Sequence, residues 1–285
     1  MSHDGTPRIA FQGELGAYGH EACAQAHPDH VPLPCQTFED ALAAVREGRA
    51  ERAMIALENS TYGRVADTHR LLPESGLRVV GEHFVRVRIA LMARPGTALA
   101  DVRRVRAHLV LLPQARAFLD ARGIEAVAAA DSAGAARALA ERDRPGEGVL
   151  ASELAAETYG LAVLATDVED HGHNTTRFVV MAREAEVPAP GAGPVKTTFV
   201  FRVRNIPAAL YKAMGGFATN GVNMTKLESY MVDGAFTATQ FYADVEGHPE
   251  DPPLRRALEE LDYFTDHLDV LGVYPADPDH FDGGH

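Results

Sequence analysis

The sequence predicts an α/β protein with two regions, a bilobal strand-and-helix region followed by a smaller ferredoxin-like βαββαβ unit. Strand and helix patterns alternate through 1–184, which is typical of parallel sheets covered by helices. Residues 185–196 contain three prolines and two glycines, which predict a linker. Residues 197–275 follow the order of a split βαβ unit, and 276–285 are expected to form a flexible tail.

Local patterns predict each element of the bilobal region. Apolar runs predict strands at 8–11, 53–56, 79–92 (one or two strands), 127–130 and 178–181. Helices are expected from Thr37 to about Arg49 and after Asp131 or Ser132, where a polar side chain can cap the first turn. A further helix is expected from Ser152 to Tyr159. We expect two lobes with a cleft, where ligands bind at the carboxyl ends of the strands.

The smaller region is interpreted in the same way. Its strands are predicted at 197–204, 222–231, 235–245 and 268–274, and its helices after Asn205 and after Asp251. The pair Asp233-Gly234 predicts a tight hairpin turn. Because such a sheet has one open face and exposed edges, it is expected to pair with another copy of the chain.

Composition excludes several classes of protein. Lys and Arg number 27 and Asp and Glu number 40, a net charge of −13, which disfavours binding to nucleic acid or to anionic membranes. Cys23 and Cys35 are the only cysteines, too few for a disulfide scaffold or a four-cysteine metal site. With no long apolar run and no signal-peptide pattern, the expected location is the cytoplasm.

Two polar runs follow predicted strands in the first lobe. The run from Gly13 to His20 precedes a helix and could present backbone N–H groups to an anion, although a plain strand-to-helix turn is the simpler interpretation. It matches neither the dinucleotide nor the Walker glycine pattern. The run from Leu57 to Gly63 clusters a carboxylate, an amide and hydroxyls, which could orient a polar ligand or cap a helix over 65–72.

A third polar run, from Asp170 to Phe178, precedes an apolar strand. Arg177 could clamp a substrate carboxylate, and a neighbouring hydroxyl could donate a hydrogen bond to a leaving oxygen. His171 and His173 have no third ligand at a useful spacing and are interpreted as solvated loop residues.

Together and in this order, the motifs resemble those of the prephenate dehydratase family, which makes phenylpyruvate on the route to phenylalanine. Gly13 to His20 resembles its glycine motif, Glu58-Asn59-Ser60 its Glu-Asn-Ser signature, and Asn174-x-Thr176-Arg177-Phe178 its Thr-Arg-Phe motif. The segment from Asn223 to Ser229 is similar to the family's regulatory ACT domain. The resemblance covers 8–275 and implies a periplasmic-binding-protein-like catalytic domain plus an ACT domain, without a fused mutase or oxidoreductase.

The resemblance implies a lyase that removes carbon dioxide and water from prephenate, with no cofactor or metal. It implies Thr176 as the catalytic hydroxyl, which helps the leaving oxygen depart as water. The implied substrate-binding residues are Arg177, Asn59, Glu58, Ser60, Gln114, Asn174, Phe178, Gly16 and Tyr18. Because an ionised Glu58 would repel a dianion, we expect this side chain to orient a neighbour or to be protonated.

The resemblance also implies a homodimer or homotetramer that an aromatic amino acid, first of all L-phenylalanine, inhibits. The effector residues it implies, at an interface between copies, are Ala209, Leu210, Asn223, Met224, Glu228 and Ser229. The chain has Ala208 where the family has glycine, and Tyr230-Met231 where it has Arg-Pro, so weaker inhibition is expected. In the second lobe, Ala107-His108-Leu109-Val110 stands where the family often has Ser-His-Pro-Gln.

Two other functions stay open at this point. An arogenate dehydratase would act on a substrate that differs by one amino group, and the sequence does not separate the two enzymes. A non-catalytic metabolite-sensing ACT protein is disfavoured by the intact Thr176-Arg177-Phe178 motif.

Overall fold

The structure is a computed structural model that describes residues 5–65, 68–142, 144–204, 206–231 and 238–278, except for the side chains of 238 and 239. Its strands are β1 Arg8–Gln12, β2 Val31–Cys35, β3 Arg52–Asn59, β4 Gly63–Arg64, β5 Arg78–Arg86, β6 Ala90–Ala93, β7 Arg104–His108, β8 Glu125–Ala129, β9 Glu147–Ala151, β10 Ala162–Ala165, β11 Thr175–Ala182, β12 Val195–Val203, β13 Met224–Met231, β14 Ala238–Glu246 and β15 Thr265–Pro275. Its α-helices are α1 Tyr18–Ala26, α2 Phe38–Arg46, α3 Thr68–Glu74, α4 Arg116–Asp120, α5 Ser132–Glu141, α6 Glu153–Tyr159, α7 Ala209–Thr219 and α8 Pro252–Phe264.

The chain forms two compact units that are not consecutive in sequence. The first comprises Met1–Val65 with Phe84–Phe178, and the second comprises Ala66–His83 with Val179–His285. Residues 66–83 therefore separate two parts of the first unit. The regions predicted from the sequence are each continuous in the chain. The predicted boundaries at 184 and 196 stay predictions.

The first unit contains two α/β lobes, which confirms the bilobal prediction. One sheet has the order β2-β1-β3-β11-β5, with β4 paired to β3, and its strands β5 and β11 each have residues in both units. The other sheet has the order β10-β6-β9-β7-β8. Strand β1 runs parallel to β2 and β3, and β7 runs parallel to β8 and β9. The prediction of purely parallel sheets is wrong for β6, which is antiparallel to β9 and β10. The reason is that β6 comes directly from β5 of the other sheet and lies between β9 and β10, so no helix crossover within its own sheet sets its direction.

Helices α2 and α5 begin at capping residues that the sequence predicts, and Ser152, the predicted start of a helix, is the cap of α6. Thr37 accepts a hydrogen bond from the Asp40 amide at 3.0 Å, Asp131 from the Gly134 amide at 2.6 Å, and Ser152 from the Ala155 amide at 3.3 Å. Two boundaries differ. Helix α2 ends at Arg46 rather than near Arg49, and the helix expected over 65–72 is α3, which begins at Thr68 because Gly63–Arg64 pair with β3 as a short strand.

The second unit has the predicted βαββαβ order, with its sheet arranged β13-β14-β12-β15. Helices α7 and α8 cover one face, where Phe199, Phe201 and Val203 join the apolar core. Helix α7 begins at Ala209, after Ala208 in the left-handed conformation with φ of 61°, later than the predicted start after Asn205. Asn205 and the predicted turn at Asp233-Gly234 lie outside the described residues.

The other face of this sheet is covered, which corrects the expectation of an open face. Lys196 of β12 is buried and its Nζ lies 3.0 Å from Glu82 Oε2. The rings of His69 and Tyr242 meet edge to face with centroids 5.1 Å apart. Glu82 and His69 belong to the segment 68–83, which comes from between the lobes in sequence. These contacts join segments that are far apart in the chain, so the spacing of apolar residues within either segment could not predict them.

Candidate active site

A cavity of about 260 Å³ opens in the first unit, at the carboxyl ends of strands from both lobes. It is lined by Gln12, Gly13, Gly16, Ala17, Tyr18, Gly19, Phe38, Met54, Ala56, Val65, His108, Leu111, Ala130, Asp131, Ser132, Ala151, Ser152, Thr176 and Phe178. Ligand pockets usually run from roughly 300 to 1,000 Å³. The cavity therefore suits a small ligand held between lobes that lie close together.

Two predicted site residues of β11, Thr176 and Phe178, lie on the cavity wall. They are two positions apart, so they share one face of the strand and Arg177 between them projects from the other. Arg177 is buried, and its Nη1 lies 2.9 Å from Glu58 Oε1. The ion pair gives Glu58 a cationic neighbour to orient. In this arrangement Arg177 supports β11 and does not form part of the cavity wall.

A chain of amide side chains leads away from Thr176. Asn59 Nδ2 donates to Thr176 Oγ1 at 3.0 Å and to Asn174 Oδ1 at 2.6 Å. Asn174 Nδ2 donates to Gln114 Oε1 at 2.5 Å, and Gln114 Nε2 donates to the Val110 carbonyl at 2.9 Å. The structure thus brings together four side chains from three segments that are widely separated in sequence, and the chain of bonds passes from the first lobe to the second.

The bonding of Asn59 shows which partner donates in its bond to the Thr176 hydroxyl. Asn59 Oδ1 accepts from the backbone amides of Thr61 and Tyr62, each at 3.0 Å. Because backbone amides only donate, this oxygen must face them, and the Nδ2 group must face Thr176. Thr176 Oγ1 is then the acceptor of that bond, which leaves its own hydrogen available to a ligand in the cavity.

Ser60 holds two strand ends together rather than lining the cavity. Its hydroxyl donates to the His173 carbonyl at 3.0 Å and accepts from the Thr175 amide at 2.9 Å. The Ser60 amide also donates to the Thr175 carbonyl at 2.9 Å. These bonds fix the end of β3 against the start of β11, where Thr176 lies. His171 and His173 are exposed, in agreement with their interpretation as solvated loop residues.

The glycine-rich run connects the two lobes of the first unit. The Gly16 carbonyl accepts from Ser152 Oγ at 2.7 Å, and the Leu15 carbonyl accepts from the Tyr159 hydroxyl at 2.7 Å. The Gly16 amide donates to His20 Nδ1 at 2.9 Å, so this amide is committed within the protein. Burial lowers the pKa of His20, which favours the neutral ring that this bond requires.

Tyr18 forms a section of the wall with its hydroxyl committed elsewhere. The hydroxyl donates to the Arg88 carbonyl at 2.7 Å. Burial, aided by the carboxylates of Glu21 and Glu169, raises the pKa of Tyr18 well above its ordinary value. The side chain therefore stays neutral and contributes ring surface rather than an acid or base.

Sequence reasoning did not select five polar residues of the cavity: Gln12, His108, Asp131, Ser132 and Ser152. They follow or end β1, β7, β8 and β9, and the rule that ligands bind at the carboxyl ends of strands could have found them. His108 Nδ1 accepts from the Val110 amide at 3.3 Å, and the His108 amide donates to Ser132 Oγ at 2.9 Å. In neutral His108 the proton therefore lies on Nε2.

The lining suits an anion without a basic side chain. Among the described residues that line the cavity, none is Lys or Arg. Instead the cavity reaches the start of α1, whose N-cap Ala17 provides no side-chain cap, whereas the Asp131 carboxylate already caps α5. Helix N-termini favour negative charge through their partial positive charge and their unpaired amides. This environment can hold a carboxylate without a permanent ion pair.

Neither cysteine nor a histidine cluster offers a metal site here. Burial raises the pKa of the Cys23 thiol to about 12, and burial also raises that of Cys35, so neither is a ready thiolate ligand. Within the described ranges, no group of three or more His, Cys, Asp or Glu side chains is placed to hold a metal ion. Over the same ranges, no helix is long and apolar enough to cross a membrane.

The residues implied for effector binding lie in the second unit. Ala209 is buried at the start of α7, and Leu210 and Met224 pack partly buried against the apolar core. The Asn223 carbonyl accepts from the Glu246 amide at 3.0 Å. Glu228 Oε1 lies 3.6 Å from Lys226 Nζ, and Ser229 pairs with Phe241 across β13 and β14. The start of α7 and the start of β13 thus contribute to one core.

Comparison with known proteins gives the family. The sequence model of the prephenate dehydratase family matches residues 9–186. A bifunctional N-acyl-homoserine lactone acylase/prephenate dehydratase of Komagataeibacter europaeus is 55% identical over 95% of this chain and 96% of its own length. Arogenate dehydratase 2 of Petunia hybrida is 36% identical over 95% of this chain and 72% of its own.

Two solved structures agree with the sequence matches. A structure described as a novel type of quorum quenching acylase, GqqA, has a TM-score of 0.90 and 55% identity and covers 95% of this chain and 99% of its own. Prephenate dehydratase of Arthrobacter aurescens in complex with L-Phe has a TM-score of 0.85 and 32% identity and covers 94% of this chain and 89% of its own. The motifs, the bilobal fold and these matches agree, and the chain belongs to the prephenate dehydratase family.

Proposed function

We propose that the cavity binds prephenate and that Thr176 is the residue that assists the loss of its ring hydroxyl. The observation that carries this proposal is the acceptor role of the Thr176 oxygen. Asn59 donates to the oxygen at 3.0 Å, so the hydrogen is free to bond a leaving oxygen in the cavity. A threonine hydroxyl is too weak an acid to ionise at neutral pH, and it acts through this positioned hydrogen bond.

The reaction needs little more from the protein. The bond between the ring and its carboxylate breaks, and its electron pair enters the ring as carbon dioxide leaves. The bond from the opposite ring carbon to oxygen breaks at the same time, and the departing hydroxide takes up a proton to become water. Formation of an aromatic ring supplies the driving force. The cavity holds the ring between apolar side chains such as Phe178 and Met54 while Thr176 stabilises the departing oxygen.

The remaining predicted residues support this site in different ways. Asn59, Asn174 and Gln114 orient the hydroxyl, and Ser60 fixes the strand that carries it. Direct contact between Arg177 and a substrate carboxylate stays a prediction from the sequence. The burial of Arg177 against Glu58 at 2.9 Å supports an indirect role, in which the pair holds β11 in register.

Turnover assays with prephenate and arogenate test the proposal and separate the two substrates. We expect purified protein to form phenylpyruvate from prephenate and to act more slowly on arogenate, if at all. Both substrates are assayed with the wild type and with Thr176→Ala, because loss of the hydroxyl should remove the activity on either substrate. A protein that converts neither substrate would contradict the assignment of the cavity.

We further propose that the second unit binds an aromatic amino acid at an interface between two copies of the chain. Support comes from the L-Phe complex of the Arthrobacter aurescens relative, which is 32% identical. The residues proposed for this site are Ala209, Leu210, Asn223, Met224, Glu228 and Ser229. The assembly would be a homodimer or a homotetramer, which sedimentation of the purified protein measures directly.

A second activity, hydrolysis of N-acyl-homoserine lactones, is a candidate on one specific observation. The Komagataeibacter europaeus relative, 55% identical over nearly the full length of both chains, carries both activities in its name. Apolar side chains such as Phe38, Val65 and Leu111 line the cavity and would suit an acyl chain. Mass spectrometry of released homoserine lactone, with prephenate as competitor, tests whether both reactions use one cavity.

A further inference from the structure

We propose that Tyr62 is a positioning residue for Thr176, because its hydroxyl closes a ring of hydrogen bonds that holds the Asn59 amide. Tyr62 lies in the run from Leu57 to Gly63 but outside the Glu58-Asn59-Ser60 signature, and it does not line the cavity. The proposal rests on the role of Thr176 proposed above, and it concerns how the hydroxyl of Thr176 is kept in place.

The ring passes through both lobes of the first unit. The Tyr62 hydroxyl donates to the Val110 carbonyl at 3.0 Å, and the same carbonyl accepts from Gln114 Nε2 at 2.9 Å. Gln114, Asn174 and Asn59 follow in turn along the amide chain. The ring returns to its start because the Tyr62 amide donates to Asn59 Oδ1 at 3.0 Å.

Each group in the ring has a role that its chemistry allows. A carbonyl oxygen has two lone pairs, so Val110 can serve Tyr62 and Gln114 together. Asn59 uses both Nδ2 hydrogens and both Oδ1 lone pairs. Rotation of the Asn59 amide would therefore break several bonds at once, and a hydrogen bond across the lobes at Tyr62 keeps Val110, and with it Gln114, in position.

The position of Tyr62 makes this role testable. Its side chain is 45% exposed, so removal of the hydroxyl alone should leave the fold intact. Val110 lies in the stretch where the chain departs from the family's Ser-His-Pro-Gln. A backbone carbonyl accepts the bond there, so the contact depends on the tyrosine hydroxyl rather than on the side chain of residue 110.

The first experiment compares Tyr62→Phe with Tyr159→Phe in prephenate turnover. Tyr159 also donates across the lobes, to the Leu15 carbonyl at 2.7 Å, but it is not a member of the ring. We expect Tyr62→Phe to lower kcat roughly 3- to 10-fold, which corresponds to one lost hydrogen bond, with KM changed less than about twofold. Tyr159→Phe should keep its kcat. Unchanged kcat in Tyr62→Phe, or an equal loss in both variants, would overturn the proposal.

The second experiment asks whether Tyr62 acts through the ring. Gln114→Met keeps the length of the side chain and removes both of its ring bonds. In this background Tyr62→Phe should lower kcat no further, because the ring is already open. If the double variant lowers kcat by the product of the two separate factors, Tyr62 acts independently of Gln114, and the ring is refuted. If Gln114→Met has no measurable turnover, the comparison with Tyr159→Phe decides alone.

These results stay separate from failure of the proposed function. Wild-type protein that does not convert prephenate, or a Thr176→Ala variant that does, would count against the role of Thr176 itself. An active wild type, an inactive Thr176→Ala and an unaffected Tyr62→Phe would count against Tyr62 alone.

Discussion

At the scale of single residues, the direction of one hydroxyl group decides what the cavity can do. Thr176 Oγ1 accepts from Asn59, and Asn59 is oriented by two backbone amides that can only donate. The protein thus commits the Thr176 oxygen as an acceptor and leaves its hydrogen to be donated to a ligand. A preorganised donor stabilises charge that develops in the transition state without the cost of reorganising solvent.

Removal of the Thr176 hydroxyl should therefore affect turnover rather than folding. We expect Thr176→Ala to lower kcat on prephenate by about 10²–10⁴, and Thr176→Ser to retain much more activity because it keeps the hydroxyl. Thr176→Val is the matched control, since it keeps the branched shape and should be as inactive as Ala. Steady-state assays with circular dichroism of each variant measure both effects, and an active valine variant would disprove the role of the hydroxyl.

At the scale of elements, the loop between β1 and α1 joins the two lobes and depends on close approach of its backbone. Gly16 has φ of 85°, and a Cβ there would lie 2.7 Å from Ala155 Cα. Only glycine combines this conformation with this contact. The glycines that resemble an anion-binding loop are thus explained first by packing against α6.

We expect Gly16→Ala to lower the free energy of unfolding by about 2–3 kcal/mol and to raise KM for prephenate, since the loop lines the cavity. Gly160→Ala is the control, because Gly160 also has positive φ, at 66°, but a Cβ there meets nothing within 4 Å. It should cost only the conformational strain, about 1 kcal/mol. Urea unfolding gives both values, and equal losses in the two variants would contradict the packing argument.

The same loop should respond to pH through His20. Burial lowers the pKa of His20, so the unfolded chain binds the proton more readily than the folded one. Stability from the Gly16–His20 bond is therefore present above pH 6.5 and is lost as the pH falls from there through the folded pKa. His20→Asn keeps an acceptor near the position of Nδ1 without a titrating ring. The free energy of unfolding should fall less from pH 7.5 to pH 5.5 in this variant than in the wild type. Equal falls in the two proteins would exclude His20 as the cause.

Sequence patterns predicted the elements better than the contacts between them. The caps at Thr37, Asp131 and Ser152 use side chains and amides three residues apart, and such pairs can be predicted from a short window of sequence. The Asn59–Asn174 and Asn174–Gln114 bonds join residues 115 and 60 positions apart. Their closeness followed from the family resemblance and from no local signal. Ser132 was predicted as one of two possible caps and Ser152 as the start of a helix, but neither as a cavity residue, because the pairing of the second sheet was not known.

At the scale of the whole chain, each of the two units is built from stretches that are not consecutive in sequence. Residues 66–83 belong with 179–285, so the covered face of the second unit's sheet depends on a segment inserted between the lobes in sequence. The buried ion pair of Lys196 with Glu82 ties this segment to β12. Two domains that follow one another in sequence would leave one face of the second unit's sheet open. In the structure, this sheet is buried on both faces at β12.

The last prediction concerns regulation and rests on the strained start of α7. Ala208 occupies the left-handed region, with φ of 61° and ψ of 24°, where an L-residue with a Cβ is strained and the family has glycine. Ala208→Gly should raise the free energy of unfolding by roughly 0.5–1 kcal/mol. Because the residue adjoins Ala209 and Leu210, the variant should also bind L-phenylalanine more tightly, since a ligand could approach the backbone more closely.

Titrations of activity and of melting temperature with phenylalanine, tyrosine and tryptophan test this on the assembled oligomer. We expect phenylalanine to inhibit the wild type and to inhibit Ala208→Gly at lower concentration. Gly221→Ala, which strains another left-handed position of the second unit with φ of 67° and open space around it, controls for stability alone and should leave the inhibition constant unchanged. A response to tyrosine instead would assign a different effector to a site reshaped by Tyr230. No response to any of the three amino acids, in either protein, would make the second unit structural rather than regulatory.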